Sequence, residues 1–151
     1  MRSLLVDIYP ANLHEEGLEA ALGGLLSRLN GRGVKTELEF RTTDRTLPVA
    51  ATTLLYRSAQ EALRNVSAHA AATTVHVGVE SVDDTVVLTI ADNGRGFTQA
   101  ELDRRMATGH VGLRALLDLV ADAGGTATVH SAIGRGTRLR VTLPVAEELR
   151  S

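Results

Sequence analysis

The stretch that decides the fold is Asp92-Asn93-Gly94-Arg95-Gly96-Phe97, which directly follows the run TVVLTIA at residues 85–91. The run is short, apolar and rich in β-branched residues, which indicates a buried strand. An acidic residue followed by glycines at alternate positions predicts a sharp turn with exposed backbone. A carboxylate fixed there can accept a hydrogen bond from an exocyclic amine, and bare glycine backbone lets a flat ring or a phosphate come close. The combination predicts a nucleotide pocket.

Composition excludes several classes of protein. The 151 residues are enough for one domain with a core. Hydrophobic residues make up 44% and charged residues 23%, as in ordinary globular proteins. A net charge of −2 and an aromatic content of 3% give no basic surface or stacking platform for nucleic acid. Because cysteine is absent, disulfides, thiolate metal sites and cysteine nucleophiles are excluded.

The sequence also lacks the marks of membrane insertion. No apolar run reaches the roughly 20 residues that a membrane span needs, and no signal peptide opens the chain. We therefore expect a cytoplasmic segment without direct membrane contact, whether or not a longer parent protein is anchored in a membrane.

Hydrophobic periodicity predicts alternating helices and strands. Leucines at helical spacing predict a first helix over residues 15–30, ended by Gly31-Arg32-Gly33. A second helix begins at Pro48 and runs to about His69, and a third spans residues 111–123. Strands are predicted at residues 34–40, 75–79, 86–91, 126–131 and 137–143. This order predicts an α/β fold, a two-layer α/β sandwich whose mixed sheet is covered on one face by helices.

The predicted second helix carries a polar stripe, because Arg57, Glu61, Asn65 and His69 recur every four residues. On its own such a stripe is most simply a solvated helix face. Its chemistry allows a second interpretation, since a carboxylate and an amide one turn apart can place a hard cation and a water beside a phosphate. The stripe alone does not decide between the two.

Two glycine-containing segments follow the stripe. Gly109-His110-Val111-Gly112-Leu113-Arg114 opens the predicted third helix, and the amides of a helix N-terminus form an anion site. A loop-to-helix transition in which glycine only relieves backbone strain explains the same residues equally well. Gly134-Arg135-Gly136-Thr137, taken alone, predicts only a hairpin turn.

Taken in order, these segments resemble the sequence boxes of histidine kinases of the nitrate-sensor type. Residues 60–70 (QEALRNVSAHA) are similar to the N box, residues 92–97 to the G1 box and residues 109–113 to the G2 box. The tail is similar to the family's closing pattern, with Ala123-Gly124-Gly125, Ser131, Gly134, Gly136-Thr137 and Pro144. The opening residues resemble the segment that leaves the dimerisation helices, with Asp7-Ile8-Tyr9-Pro10, Leu13, Gly17-Leu18 and Ala21-Leu22.

The resemblance implies the Bergerat ATP-binding fold of the GHKL superfamily, with ATP as the ligand. Asp92 would bind the adenine amino group, with Thr137 helping through water. Gly94 and Gly96 would let the adenine and the ribose approach.

The resemblance also implies a Mg²⁺ ion and a phosphate site. Asn65 would hold the Mg²⁺ through its side-chain oxygen and Glu61 would orient water around the ion, which makes these two the implied catalytic residues. The phosphates would meet the G2 box, that is Gly109, His110, Val111, Gly112 and Leu113. Residues 98–108 would form a lid over the nucleotide. Many relatives carry Lys where this chain has Ala68, which leaves His69, or Arg95 or Arg114, to supply donors to the phosphates.

The implied activity is transfer of the γ-phosphoryl group of ATP to a histidine on a dimerisation helix, and from there to an aspartate of a response regulator. We expect that helix to lie outside this chain, and we therefore expect no autophosphorylation by the chain alone. Residues 1–30 would be a linker-like segment and first helix, and residues 31–151 the ATP-binding catalytic domain. His14, followed by acids, matches no motif of an acceptor histidine.

Two alternative functions share the implied fold. An anti-sigma-factor serine kinase is the first, and the resemblance of the opening segment to a dimerisation-domain exit counts against it. A nucleotide-binding pseudokinase module is the second. Ala68 favours it, whereas Glu61 and Asn65 count against it.

Overall fold

The computed structural model describes residues 13–42, 47–66, 72–98, 100–101, 104 and 111–144. Helices and strands alternate along this part of the chain, as the periodicity predicts. In order they are α1 (Leu13–Asn30), β1 (Lys35–Arg41), α2 (Val49–Asn65), β2 (Thr74–Val82), β3 (Thr85–Asp92), α3 (Val111–Asp122), β4 (Thr126–Ala132) and β5 (Gly136–Pro144). Within these ranges no helix is both long and apolar enough to cross a membrane.

The five strands form one mixed sheet in the order β1-β2-β3-β5-β4. Strands β1 and β2 pair in parallel, and the other neighbours pair antiparallel. Side chains alternate between two environments along each strand, as in β3, where Val86, Leu88 and Ile90 are buried. This alternation confirms the predicted mixed sheet with one covered face.

The core lies between the sheet and the helices. All three helices with described bounds contribute to it, for example through Leu22 of α1, Leu55 of α2 and Val120 of α3, each of them fully buried. The opposite face of the sheet is open and carries charged residues such as Arg138 and Arg140. The predicted two-layer sandwich is therefore confirmed, and α1 packs in the same core as the later elements.

Two details differ from the sequence-based expectation. Helix α1 is interrupted at Gly17, whose φ of 91° and ψ of 168° are not helical, so the predicted single helix is kinked there. The β2–β3 hairpin is longer than predicted, because pairing continues to Val82 and Thr85. Only Asp83 and Asp84 remain as a tight turn, and Asp83 adopts a φ of 54°, which Asp tolerates better than most residues.

Candidate nucleotide site

The described parts of the segments predicted to bind a nucleotide lie toward one end of the sheet. At the opposite end, the start of α2, the end of α3 and the end of β5 line a cavity of about 470 Å³, with Leu54, Leu119 and Pro144 in its wall. Helix α2 therefore runs toward the end where β3 finishes and β5 begins, and helix α3 starts at that end and runs away from it. The end of α2, the start of α3 and the G1 box thus lie toward the same end of the sheet.

A row of four side chains crosses the sheet at that end. Val75, Asp92, Thr137 and Ser131 are direct neighbours on β2, β3, β5 and β4. Directly opposite residues in a sheet point to the same face. Buried residues recur at every second position along most of β3 and of β5, and Asp92 and Thr137 occupy positions in that same series. The row therefore lies on the covered face of the sheet. Asp92 and Thr137, assigned separately by resemblance, are therefore neighbours in space.

Backbone hydrogen bonds hold the Asp92 carboxylate in a half-buried position. Its Oδ1 accepts the N–H of Gly94 at 2.7 Å. Burial raises the pKa of Asp92 above its ordinary value of 3.8, and backbone hydrogen bonds from Gly94 and Thr137 oppose that rise. The two backbone bonds fix the carboxylate at the end of β3, and its remaining lone pairs can accept further hydrogen bonds.

The G1 loop packs against the β4–β5 hairpin through two glycines. Gly96 has a φ of 73°, and a Cβ added there would lie 2.0 Å from the carbonyl oxygen of Ala132. Gly136 has a φ of 80°, and its added Cβ would lie 1.9 Å from the carbonyl oxygen of Asp92. The resemblance assigns the space beside Gly96 to the nucleotide, but hairpin backbone occupies the position that a Cβ of Gly96 would take. The close approach of the G1 loop to the hairpin therefore requires the glycine.

Asn93 is a structural residue that the sequence reasoning missed. Its Oδ1 accepts the backbone N–H groups of Thr73 and Thr74, each at 2.9 Å, and its Nδ2 donates to Thr73 Oγ1 at 2.9 Å. These bonds tie the G1 loop to the start of β2, which follows the N box in the chain. The signal available was an Asn directly after the strand-ending Asp, a residue type that bonds readily to nearby backbone.

Ser131 links three parts of the site. Its Oγ accepts the backbone N–H of Phe97 at 2.8 Å, donates to the carbonyl of Gly136 at 3.1 Å and lies 2.8 Å from Thr137 Oγ1. Phe97 is buried. Sequence reasoning placed Ser131 only within a tail pattern, because hydrogen bonds between residues 34 positions apart leave no local signal.

The N-box residues end helix α2. Glu61 is largely buried, with 17% of its side chain exposed, and its Oε1 lies 3.6 Å from the exposed Arg64 Nη1. Asn65 is the last residue of α2. In the described part of the chain, no three His, Asp or Glu side chains come together as a metal-binding group.

Only part of the G2 box lies within the described residues. Val111, Gly112 and Leu113 form the first turn of α3, and its amides are those that the anion-site prediction requires. The predictions for Ala68, His69, Gly109 and His110 concern residues outside the described ranges, as does most of the proposed lid.

The beginning of that lid segment contains a helix-capping arrangement. The backbone N–H of Thr98 donates to Glu101 Oε1 at 2.9 Å, and the N–H of Glu101 donates to Thr98 Oγ1 at 3.1 Å. This reciprocal pair is a capping box, and the bond from the Thr98 N–H lowers the pKa of Glu101. The spacing Thr-x-x-Glu was a readable signal for it, which the sequence analysis did not use.

Known proteins are similar to this chain in sequence. Residues 50–147 match the family described as "Histidine kinase-, DNA gyrase B-, and HSP90-like ATPase". The chain is 31% identical over 98% of its length to the sensor histidine kinase LiaS of Bacillus subtilis, and 31% identical over 96% to the sensor histidine kinase NarS of Mycobacterium tuberculosis. It spans 40% and 33% of those two proteins, that is, less than half of each.

Solved structures show the same fold. The histidine kinase domain of a blue-light activated histidine kinase from Erythrobacter litoralis superposes with a TM-score of 0.71 at 23% identity, over 87% of this chain and 62% of that one. Together with the match over residues 50–147, this leads to one conclusion. The chain belongs to the family of histidine kinase-, DNA gyrase B- and HSP90-like ATPases, and it corresponds to the ATPase domain found in sensor histidine kinases.

Proposed function

We propose that this domain binds ATP at the end of the sheet where β3 finishes and transfers its γ-phosphoryl group to a histidine on a dimerisation helix. The observation that carries the proposal is the half-buried Asp92 carboxylate, held by Gly94 beside Thr137 where α2 ends and α3 begins. The similarity to sensor histidine kinases supports the choice of acceptor. Because the reaction consumes ATP, we propose that the domain works in the cytoplasm.

Adenine recognition is assigned to Asp92 and Thr137. The Asp92 carboxylate has about four lone-pair sites, so beside its backbone bonds from Gly94 and Thr137 it can still accept a hydrogen from the adenine amino group. A charge-assisted bond of this kind is stronger than a bond between neutral groups, because the acceptor is ionised. Gly94 and Gly96 shape the loop beside the base, and the packing of Gly96 on Ala132 keeps that loop close to β5.

Metal and phosphate binding are assigned to the helix ends. Carboxylate and amide oxygens on one helix are hard ligands that fit Mg²⁺, so Asn65 would hold the ion and Glu61 would orient a water beside it. Bound Mg²⁺ neutralises charge on the β- and γ-phosphate oxygens. The phosphates would meet the G2 box, whose Val111, Gly112 and Leu113 give amides to the first turn of α3. Gly109, His110 and His69 complete this assignment.

The beginning of the chain is assigned to the link with a dimerisation domain. Helix α1 packs in the core from Leu18 onward, directly after the kink at Gly17. We propose that residues before Gly17 lead from the dimerisation helices. The division of the chain into residues 1–30 and 31–151 stays a prediction. A response regulator that takes the phosphoryl group from the acceptor histidine completes the proposed signalling pathway.

Radioactive ATP labelled at the γ position tests the proposal. The chain is incubated with labelled ATP and Mg²⁺, alone and with a separately supplied dimerisation domain of a sensor kinase related to it. We expect acid-labile label on the histidine of the supplied domain and none on the chain alone, because only the supplied domain provides an acceptor held near the nucleotide. Acid-stable label on a serine would indicate a serine kinase. ATP binding without any transfer would indicate a nucleotide-holding module.

A further inference from the structure

The Ser131 hydroxyl contacts three polar groups but has only one hydrogen to donate. Phe97 N and Thr137 Oγ1 each lie 2.8 Å from Ser131 Oγ, and the carbonyl oxygen of Gly136 lies 3.1 Å away. A hydroxyl has one hydrogen to donate and two lone pairs that accept. The three contacts therefore restrict the direction in which each hydrogen points.

Counting donors and acceptors gives one arrangement that satisfies all three contacts. The N–H of Phe97 can only donate, so Ser131 accepts from it. The carbonyl of Gly136 can only accept, so Ser131 gives its hydrogen to that oxygen. The contact with Thr137 is then a hydrogen bond only if the Thr137 hydroxyl donates to Ser131.

We propose that Ser131 is a positioning residue for base recognition, because it holds the hydrogen of the Thr137 hydroxyl away from the nucleotide base. This inference rests on the proposed function, in which Asp92 and its neighbour Thr137 recognise the base, and it places the Thr137 hydroxyl in direct contact with the base, where the resemblance implies a contact through water. With its hydrogen turned toward Ser131, Thr137 presents only lone pairs to the base, and the Asp92 carboxylate also only accepts. Two acceptors side by side match a purine with an exocyclic amine and oppose a purine with an oxo group at the same position.

Two backbone hydrogen bonds that do not involve Ser131 also hold this region together, so a positioning role of Ser131 can be tested separately from a structural one. The G1 loop and the β4–β5 hairpin are also joined by the bond from Gly134 N to the carbonyl of Arg95, at 2.8 Å. The hairpin itself is closed by Arg135 N and the carbonyl of Ala132, at 2.9 Å. Both bonds are independent of Ser131, so we expect the Ser131→Ala chain to fold.

Binding of ATP and of inosine triphosphate to the full 151-residue chain tests the proposal, because the second nucleotide carries an oxo group in place of the amine. We expect wild type to prefer ATP by roughly ten- to a hundredfold in Kd. In Ser131→Ala the Thr137 hydroxyl can turn its hydrogen toward the oxo group. The preference should then fall roughly five- to tenfold. A purely structural role would weaken binding of both nucleotides equally and leave their ratio unchanged.

Matched variants separate the role of Ser131 from that of other hydroxyls. Ser81 also bonds to a hydroxyl, that of Thr42 at 2.7 Å, but at the far end of β2, so Ser81→Ala should keep the wild-type ratio. Ser131→Thr keeps the hydroxyl and should also keep the ratio. Should Ser131→Ala fail to fold, Ser131→Cys replaces it; its weakly bonding thiol should lower the ratio by a smaller factor.

A double substitution tests whether Ser131 acts through Thr137. Thr137→Val removes the hydroxyl that Ser131 is proposed to orient. In that background Ser131→Ala should no longer change the ratio of the two affinities. An unchanged ratio in Ser131→Ala alone, a change of the same size in both backgrounds, or a wild type that binds the two nucleotides equally would overturn this inference. Absence of ATP binding by wild type would instead overturn the proposed function.

Discussion

At the scale of single residues, Asp92 combines burial with a fixed hydrogen-bond geometry. The backbone N–H of Gly94 replaces part of the water that the carboxylate loses on burial. The compensation is incomplete, because burial raises the pKa of Asp92 in spite of the backbone bonds. The folded chain thus keeps a carboxylate that has lost part of its hydration. A hydrogen bond donated by a ligand would replace part of that lost hydration.

Substitution of Asp92 by Asn should weaken ATP binding while keeping the shape of the side chain. Loss of a charge-assisted hydrogen bond in a half-buried site costs about 1.5–3 kcal/mol, which corresponds to roughly ten- to a hundredfold in Kd. Isothermal titration calorimetry measures the change. Unaltered affinity would remove Asp92 from adenine recognition.

The same substitution should affect stability in a pH-dependent way. Because the pKa of Asp92 is higher in the folded chain than its ordinary value of 3.8, the folded state holds the extra proton and loses stability as the pH rises through that window. An uncharged amide at this position would carry no such cost. Urea unfolding without nucleotide should therefore show a stability difference in favour of Asp92→Asn that is larger at about pH 7 than at about pH 3. The opposite trend would contradict the raised pKa.

Comparison of Gly96 with Gly33 separates the free-energy cost of a positive φ from the cost of a steric clash. Gly33 has a φ of 91° with nothing near its added Cβ, whereas Gly96 has a φ of 73° and a carbonyl 2.0 Å away. We expect Gly33→Ala to cost about 1–2 kcal/mol of unfolding free energy, from the left-handed conformation alone. Gly96→Ala should cost about 1–3 kcal/mol more, because the hairpin must move. Equal costs in urea unfolding would mean that the loop yields without resistance.

At the scale of elements, helix α2 joins the apolar core to the site. Leu55 and Ala59 face the core, and Glu61 lies near the end of the helix with most of its side chain buried. The interpretation of the polar stripe as a solvated face therefore does not hold for Glu61. A carboxylate kept at this depth supports the assignment of Glu61 to a water beside the proposed ion.

Substitution of Asn65 by Ala should distinguish a metal ligand from a structural residue. We expect the variant to bind Mg·ATP more weakly by roughly ten- to a hundredfold, with a much smaller loss for metal-free ATP. Arg57→Ala is the matched control, because Arg57 belongs to the same stripe but lines the cavity at the opposite end. Equal losses with and without Mg²⁺ would assign Asn65 to the fold.

The elements were predictable from the sequence because each has a local signal. The alternation in β3 and the leucine spacing in α1 depend on neighbours a few positions away. The bonds from Thr73 and Thr74 to Asn93 and from Phe97 to Ser131 join residues 19 to 34 positions apart, so no local pattern identifies these partners. The kink at Gly17 was also missed, since a glycine inside a periodic segment does not reveal which φ it adopts.

At the scale of the whole molecule, the fold separates the open face of the sheet from two ends, one with an apolar cavity and one with Asp92 and Thr137. The helices cover one face of the sheet, and charged side chains such as Arg138 and Arg140 line a groove on the other. The apolar cavity beside Leu119 and Pro144 lies at one end, and Asp92 and Thr137 lie at the other. We propose that the nucleotide binds at the second of these ends.

Backbone amide NMR shifts during titration with ATP and Mg²⁺ test that claim most directly. We expect the largest changes along residues 92–97, at Thr137 and in the first turn of α3, with small changes at Leu119 and Leu143. The same titration of Asp92→Asn should need higher ATP concentrations for the same shifts. Changes concentrated around the Leu119 and Leu143 cavity, or on the open face at Arg138 and Arg140, would contradict the claim.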